Sequence, residues 1–347
     1  MKRLLQVAGM ILLCFGLSLT TKVSAEENIT VMTHDSFNVS KDVIAAFEQQ
    51  NGVKVRFLKS GDAGAALVQA ILSKNNPLAD VFFGVDNSFL SRALEAGIFR
   101  SYESPLLAKI PQNLKLDATN RLLPVDYGDV CLNYDKAWFS AKNMAPPTSI
   151  SDLIKPEYKG LTVVENPATS SPGMAFLLAT IGKFGEDKYL EFWKALRAND
   201  VFIAGGWEDA YFGHFTAASK GDRPIVVSYA SSPPAAVYYS ETPLTEAPTA
   251  AVVTDESAFR QIEFVGILEG TKKPALAEKF VDFMLSRPLQ EDIPLQMFVF
   301  PSNSEAKLPE IFVKHAVVAD KPAEVSPQKI ESMRDTWIEA WTTTVLR

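Results

Sequence analysis

The strongest constraint on the fold is an alternation of apolar segments and amphipathic helical patterns in the first third of the chain. Ile29–Met32 and Val53–Leu58 predict strands, and Ala79–Val85 is a fully apolar strand candidate. A helical pattern follows each segment, and Ser40 is positioned to cap the first helix. Strands that alternate with helices are typical of a mainly parallel sheet covered on both faces, so we predict an α/β fold.

Polar residues follow each of these predicted strands. They are His34-Asp35-Ser36, Gly61-Asp62 and Asp86-Asn87. In open parallel sheets, ligands bind beyond the carboxyl ends of the strands, so these residues are expected at the edge of a cleft. Gly61-Asp62 also begins a strand-to-helix turn, and Asn87 is expected to cap a helix over Leu90–Leu94.

A second set of polar segments lies between Glu165 and Ser232, each at the end of an apolar run. Ser170-Ser171 precede a proline and a helical pattern, which predicts a helix N-terminus whose free N–H groups suit an anion. Trp207 follows two glycines, and Tyr229 lies in a serine-rich segment. Such aromatic faces suit a cation, so the pattern predicts a cleft for a small polar or cationic ligand.

The rest of the chain adds packing elements. Asp126–Asp129 predicts a turn before a strand over Val130–Tyr134, and Ala275–Leu285 predicts an amphipathic helix. A final helix is predicted to begin at Ser326-Pro327. Its tryptophans, Trp337 and Trp341, have helical spacing and are expected in the core.

The first 25 residues have the pattern of a secretory signal peptide. Lys2 and Arg3 form a basic region, Leu4–Leu19 is apolar, and Val23-Ser24-Ala25 is a small-residue cleavage site. The pattern predicts export to the periplasm.

Composition and motifs narrow the function classes. The net charge is −7 without basic runs, which argues against nucleic acid as a partner. Cys14 lies in the predicted signal peptide. Cys131 would therefore be the one cysteine of the exported protein, and we predict a buried structural thiol. No hydrolase elbow, phosphate-binding loop or zinc motif occurs, and the three histidines are scattered. We therefore expect neither an enzyme, nor a metal site, nor a cofactor.

Short motifs spread along the chain resemble the periplasmic thiamine-binding proteins of bacterial ABC importers. The similarity spans nearly the whole mature chain, and the motifs occur in the family's order. They are Thr33–Phe37, Ala79-Asp80-Val81, Asp126-Tyr127-Gly128, Thr169–Gly173, Gly206–Tyr211, Ser228–Pro233 and Trp337–Trp341.

The resemblance implies a two-lobed clamshell that delivers its ligand to a membrane permease. We expect one lobe from residues 26–124 and 245–297, the other from 125–244 and 298–347, and a monomer. The implied ligands are thiamine, thiamine phosphate and thiamine diphosphate. The family's binding positions carry over to Asp62, Ala63, Ser170, Ser171, Trp207, Tyr229, Ala230, Ser231 and Ser232.

The resemblance also suggests a role for each type of residue. Trp207 and Tyr229 would hold the thiazolium cation, Asp62 the aminopyrimidine, and Ser170-Ser171 the hydroxyethyl or phosphate end. His34 and Phe298 stand where the family has other aromatic residues, so the expected aromatic cage is thinner than the family pattern.

Three alternatives remain open at this stage. A ferric-ion carrier would use His34, Asp62 and Tyr229, although such proteins use adjacent tyrosines and Tyr238-Tyr239 is better interpreted as a structural pair. A carrier of phosphonates or other phosphorylated molecules would use Ser170-Ser171 without needing an aromatic face. An enzyme on this scaffold would need an acid–base pair, for which Asp62 and His34 are the candidates.

Overall fold

The computed structural model describes residues 27–347, in which eleven strands form one mixed sheet flanked by helices. The predicted signal peptide, Met1–Ala25 with Cys14, lies outside the described residues. The strands are β1 (Glu27–Thr33), β2 (Val53–Lys59), β3 (Val81–Asp86), β4 (Phe99–Arg100), β5 (Leu123–Asp135), β6 (Thr162–Glu165), β7 (Phe202–Ala204), β8 (Ile225–Tyr229), β9 (Thr249–Val252), β10 (Phe259–Leu268) and β11 (Phe300–Pro301).

Eleven α-helices are present in the same range. They are α1 (Lys41–Asn51), α2 (Ala63–Leu72), α3 (Leu90–Glu95), α4 (Lys136–Ala141), α5 (Ser171–Phe184), α6 (Tyr189–Ala198), α7 (Ser232–Tyr238), α8 (Pro274–Leu285), α9 (Arg287–Gln296), α10 (Glu310–His315) and α11 (Pro327–Val345). Short 3₁₀ helices cover Pro105–Lys109, Gln112–Leu114, Ile150–Ile154 and Pro156–Tyr158, and a π-helical turn covers Asp209–His214. None of the helices within residues 27–347 is long and apolar enough to cross a membrane.

The main path through the sheet has the strand order β2-β1-β3-β10-β5-β8-β6-β7. Strand β1 pairs in parallel with β2 and β3, and β6 pairs in parallel with β7 and β8. The long strands β5 and β10 run antiparallel to their neighbours in the middle of the sheet. The predicted α/β fold is therefore confirmed, but the prediction of a mainly parallel sheet is wrong: parallel pairing is confined to the two ends of the sheet, and the antiparallel strands β5 and β10 join them.

The turn predicted at Asp126–Asp129 is wrong, because these residues lie inside strand β5. Asp126 pairs with Glu263 across the antiparallel ladder with β10. Asp129 forms two hydrogen bonds with the guanidinium group of Arg260, at 2.8 and 2.9 Å. Partners on β10, and not solvent, therefore surround these aspartates. The partners are distant in sequence, so no local pattern identifies them.

Two predicted helix caps use their side chains differently. The Asn87 amide donates to the Arg260 carbonyl and accepts from the Ile262 N–H, both at 3.0 Å, so it joins β10 instead of capping α3. Ser40 occupies the cap position of α1, but its hydroxyl donates to Asp292 at 2.5 Å and makes no capping bond. In both cases a tertiary partner competes successfully with the local helix end.

The C-terminal helix packs as predicted. Ser326 caps α11 by accepting the Lys329 N–H at 3.3 Å. Trp337 and Trp341 are buried, and the Trp341 ring meets Trp193 of α6 edge-on at 5.4 Å. Cys131 is a buried free thiol, as expected, and burial raises its pKa.

Candidate functional site

A cavity of about 670 Å³ opens beyond the carboxyl ends of the parallel strands. This volume lies in the range of small-molecule binding sites. One side is formed by residues that follow β1 and begin α2, and the other mainly by residues between β7 and α7. Its polar and aromatic lining includes His34, Ser36, Asp62, Ser171, Trp207, Glu208, Tyr211, Phe212, Tyr229, Ser232, Tyr239, Glu263, Gln296 and Phe298.

Asp62 lies on the wall at the N-terminus of α2, where the sequence predicted a carboxylate. Its Oδ1 accepts the Ala63 N–H at 2.7 Å, and Ala63 itself lines the cavity. Burial raises the pKa of Asp62, while N–H groups and the Ser170 hydroxyl act in the opposite direction. The carboxylate is therefore held by several donors in a partly desolvated position.

Asp62 also contacts the opposite wall. Its Oδ2 accepts the backbone N–H of Trp207 at 3.2 Å. Gly206 makes this approach possible, because a Cβ atom at that position would stand 2.9 Å from Asp62 Oδ2. The bond joins the start of α2 to the segment that carries the aromatic wall.

Trp207 forms an aromatic surface together with Tyr211. The two rings stack with their centroids 5.1 Å apart and an interplanar angle of 24°. The indole N–H donates to the Ser228 hydroxyl at 2.9 Å, which fixes the orientation of the ring. Phe212 meets Trp207 edge-on at 5.5 Å and leaves 58% of its side chain exposed at the cavity mouth.

Tyr229 and Ser232 lie beside this surface at the end of β8. The Ser232 hydroxyl accepts the Tyr229 N–H at 3.2 Å and lies 2.8 Å from the Ser228 hydroxyl. Burial, with the nearby Glu263 carboxyl as a further cause, raises the pKa of Tyr229 well above its usual value. The phenol therefore stays protonated at neutral pH.

Four of the predicted site residues support the wall or lie at its edge. Ser171 lines the cavity, but its hydroxyl donates to Asp86. Ser170 caps α5 by accepting the Gly173 N–H at 3.4 Å and is fully buried. Ala230 and Ser231 are also fully buried, and the Ser231 hydroxyl donates to the carbonyl of the cavity residue Phe298 at 2.5 Å.

Phe298 has an unusual backbone conformation for a bulky residue. Its φ is 55°, in the left-handed region, which carries a steric cost for a residue with a Cβ atom. Its ring packs against Tyr239 with the centroids 5.5 Å apart. Tyr238 and Tyr239, predicted as a structural pair, pack on each other and on Phe298, but they are 46% and 62% exposed, and Tyr239 also lines the cavity.

The aromatic wall is thus richer than the sequence indicated. Tyr211, Phe212 and Tyr239 supply rings that were not among the predicted site residues. Tyr211 lies four residues after Trp207, so helical spacing offered a signal for it. The strand residue Glu263 had no such signal, because its position depends on the pairing of β10 with β5.

The charged residues of the cavity are acidic. Asp62, Glu208 and Glu263 line it, whereas neither Lys nor Arg does so among the residues that the structure describes. The N-terminus of α5 already faces carboxylates, because Ser171 donates its hydroxyl to Asp86 and its N–H to Asp62. This arrangement favours a cationic ligand and leaves little positive potential for an anion.

His34 lies in the wall next to β3. It is 8% exposed, and Gly84 (φ 111°) leaves room for it, since a Cβ atom there would stand 2.6 Å from His34 Cδ2. Burial, with nearby Lys59 as a further cause, lowers the pKa of His34 to about 4. Within residues 27–347, no group of three or more His, Cys, Asp and Glu side chains is arranged to hold a metal ion.

Comparisons with known proteins agree with this geometry. A model of the bacterial extracellular solute-binding proteins matches residues 76–318. The thiamine-binding periplasmic protein of Salmonella typhimurium is 32% identical over 93% of this chain and 95% of its own length. The Escherichia coli protein of the same name is 30% identical over 97% and 98%. A solved periplasmic thiamin binding protein superposes with a TM-score of 0.82, at 27% identity over 93% of this chain and 97% of its own. This chain therefore belongs to the bacterial extracellular solute-binding proteins.

Proposed function

We propose that the protein captures thiamine in the periplasm and delivers it to the permease of an ABC importer. The observation that carries the proposal is the stacked pair Trp207–Tyr211 in a cavity with three acidic residues and neither Lys nor Arg among the described residues. Thiamine combines a permanently cationic ring with a hydrogen-bonding aminopyrimidine, and both find partners in this wall. Membership of a family of ligand carriers supports binding and release instead of catalysis.

The roles of the wall follow from its chemistry. Trp207, stacked on Tyr211 and fixed by its bond to Ser228, offers a flat face to an aromatic ring of the ligand. Asp62 accepts hydrogen bonds from the exocyclic amine of the pyrimidine. Ser170 and Ser231 hold this wall from behind, through the cap of α5 and the bond to the Phe298 carbonyl, and Ala230 is buried next to Ser231.

The charge of the cavity supports a preference for unphosphorylated thiamine. A phosphate would add negative charge to a wall formed by Asp62, Glu208 and Glu263. The donors at the start of α5 are occupied by Asp62 and Asp86. Thiamine phosphate and thiamine diphosphate are therefore expected to bind with their phosphates directed to the open mouth, and more weakly.

Calorimetry on ligand-free protein tests the proposal. The ligands are thiamine, its mono- and diphosphate, ferric citrate and 2-aminoethylphosphonate. We expect saturable binding of thiamine with one site per chain, and weaker binding of both esters. Saturable binding of ferric citrate or the phosphonate, with no response to any thiamine form, would overturn the proposal.

A further inference from the structure

Glu263 lies at the bottom of the cavity. It is 5% exposed and projects from β10 into the site. Asp126 is its partner across the ladder with β5, and His34 Nε2 stands 3.4 Å from Glu263 Oε1. His34 Nε2 is buried and has no hydrogen-bond partner within residues 27–347. Three polar side chains thus meet at the cavity floor, and His34 Nε2 is left without a hydrogen-bond partner there.

The carboxyl group of Asp126 is buried next to that of Glu263. Neither oxygen of Asp126 accepts a hydrogen bond from an N–H or hydroxyl group in the described part of the chain, so the Glu263 carboxyl is its neighbour for hydrogen bonding. Burial raises the pKa of Asp126 to about 7. Burial and the adjacent Asp126 raise the pKa of Glu263 well above its usual value. Two carboxyl groups this close share a proton when no cation is present.

The other groups that face Glu263 do not supply a positive charge. Asp86 of β3 and Asp62 at the start of α2 are acidic, and both raise the pKa of Glu263. Tyr229 of β8 is a protonated phenol, and burial keeps His34 neutral at physiological pH. The floor of the cavity therefore holds two carboxyl groups that share a proton, and a bound cation would supply the positive charge that they lack.

We propose that Glu263, with Asp126 behind it and His34 beside it, is the anionic partner of the ligand's cationic ring. The inference rests on the proposed function and names the residue that recognises the charge. When the cation enters, the Glu263–Asp126 pair releases its shared proton to solvent and becomes more negative. The positive ring then occupies the position opposite Glu263, where it neutralises the carboxylate. Discrimination between charged and uncharged rings would depend on this residue.

The test compares thiamine with 3-deazathiamine, in which a neutral thiophene ring replaces the thiazolium. Affinities are measured by calorimetry for the natural protein, Glu263→Gln and Glu165→Gln. Glu165 is a matched control because it is a fully buried carboxyl group that lies outside the cavity wall. Glutamine has the shape of the protonated acid, so the variant preserves the packing of the floor.

In the natural protein we expect thiamine to bind more tightly than 3-deazathiamine. Glu263→Gln should weaken thiamine at least about tenfold and leave the neutral analogue nearly unchanged, so that the preference disappears. Glu165→Gln should retain the preference. An equal loss for both ligands, or no loss for either, would overturn the role of Glu263.

A second readout needs no variant. Calorimetry of the natural protein in buffers with different ionisation enthalpies measures the protons exchanged on binding. We expect net proton release with thiamine and none with 3-deazathiamine. Binding of thiamine without proton release would contradict the role of Glu263 as the counter-ion, while leaving the proposed function intact. Failure of both ligands to bind would instead overturn the proposed function and, with it, this inference.

Discussion

Asp62 and Trp207 join the two walls of the cavity through one hydrogen bond, in which the Trp207 N–H donates to Asp62 Oδ2 at 3.2 Å. The other carboxylate oxygen of Asp62 caps α2. One side chain therefore stabilises a helix, holds the two walls together and lines the cavity. These functions are separable by substitution.

Asp62→Asn should keep the cap of α2 but lose affinity. An amide oxygen still accepts the Ala63 N–H, whereas the amide NH2 group cannot accept the Trp207 N–H and the negative charge on the cavity wall is gone. We expect thiamine affinity to fall about tenfold in calorimetry. Asp62→Ala should in addition lower the free energy of unfolding by about 1 kcal/mol, because the cap is lost.

Ser326→Ala is the matched control for the capping effect. It removes the cap of α11, far from the cavity wall, and should cost a similar free energy of unfolding without affecting affinity. If Asp62→Asn binds thiamine as tightly as the natural protein, the carboxylate charge has no part in recognition.

Trp207→Ala should weaken thiamine binding, because it removes the ring that stacks on Tyr211 at the cavity wall. A cation over an aromatic face contributes about 0.5–2 kcal/mol, so we expect a loss from about twofold to about thirtyfold. Trp207→Phe should lose less, since a smaller face remains but the bond to Ser228 is gone. Trp138→Ala is the control: Trp138 is also a partly buried tryptophan, but it lies outside the cavity. An equal loss of affinity in Trp138→Ala and Trp207→Ala would show that stability, and not stacking, is responsible.

The affinity should fall with each added phosphate, because the cavity wall is acidic. Thiamine should bind most tightly, the monophosphate less tightly and the diphosphate most weakly. Glu208 is exposed at the mouth, where it accepts a hydrogen bond from Ser36 at 3.3 Å. Glu208→Lys should therefore improve binding of the diphosphate relative to thiamine, and Glu208→Gln should have a smaller effect in the same direction. Competition assays against thiamine measure the ratio. A diphosphate that already binds most tightly in the natural protein would contradict the electrostatic argument.

Much of the cavity was predictable from the chain because strand ends are local features. Asp62 follows β2, Tyr229 ends β8, and Ser170 precedes a proline at the start of α5. Each has a short-range signal in the residues around it, and the parallel arrangement of strands brings such signals to one edge. The start of α2 and the helix cap at Ser170 were also predictable from neighbouring residues.

The residues that were missed depend on pairings that are distant in sequence. Glu263 reaches the cavity floor only because β10 pairs with β5 in a register that sets it opposite Asp126. The same antiparallel ladder explains why Asp126–Asp129, which were predicted as a turn, lie inside the continuous strand β5. Tyr239 joins the wall through its contact with Phe298, 59 positions away. No local pattern encodes such contacts, because they follow from how the long central strands cross the sheet.

The carboxyl pair at the cavity floor should make stability fall as pH rises. In the folded protein the pKa of Asp126 is about 7 instead of the usual 3.8, so the folded state holds a proton that the unfolded chain has lost between these values. Stability is then highest below about pH 4 as far as this group is concerned, and it is lost as the pH rises towards about 7. Glu263, whose pKa is also raised, acts in the same direction.

The contribution of buried His34 to stability depends on pH in the opposite direction. Its pKa is lowered to about 4, so protonation of the unfolded chain reduces stability as the pH falls below 6.5. Asp126→Asn should remove the contribution of Asp126, reduce that of Glu263 and leave that of His34, so the free energy of unfolding should rise on the order of a few kcal/mol at neutral pH. Urea unfolding between about pH 5 and 8 measures both slopes. Glu241→Gln, at an exposed loop position, should leave the natural pH dependence unchanged. If Asp126→Asn and the natural protein lose stability in parallel as the pH rises, then Asp126 is already ionised in the folded state and the pair shares no proton.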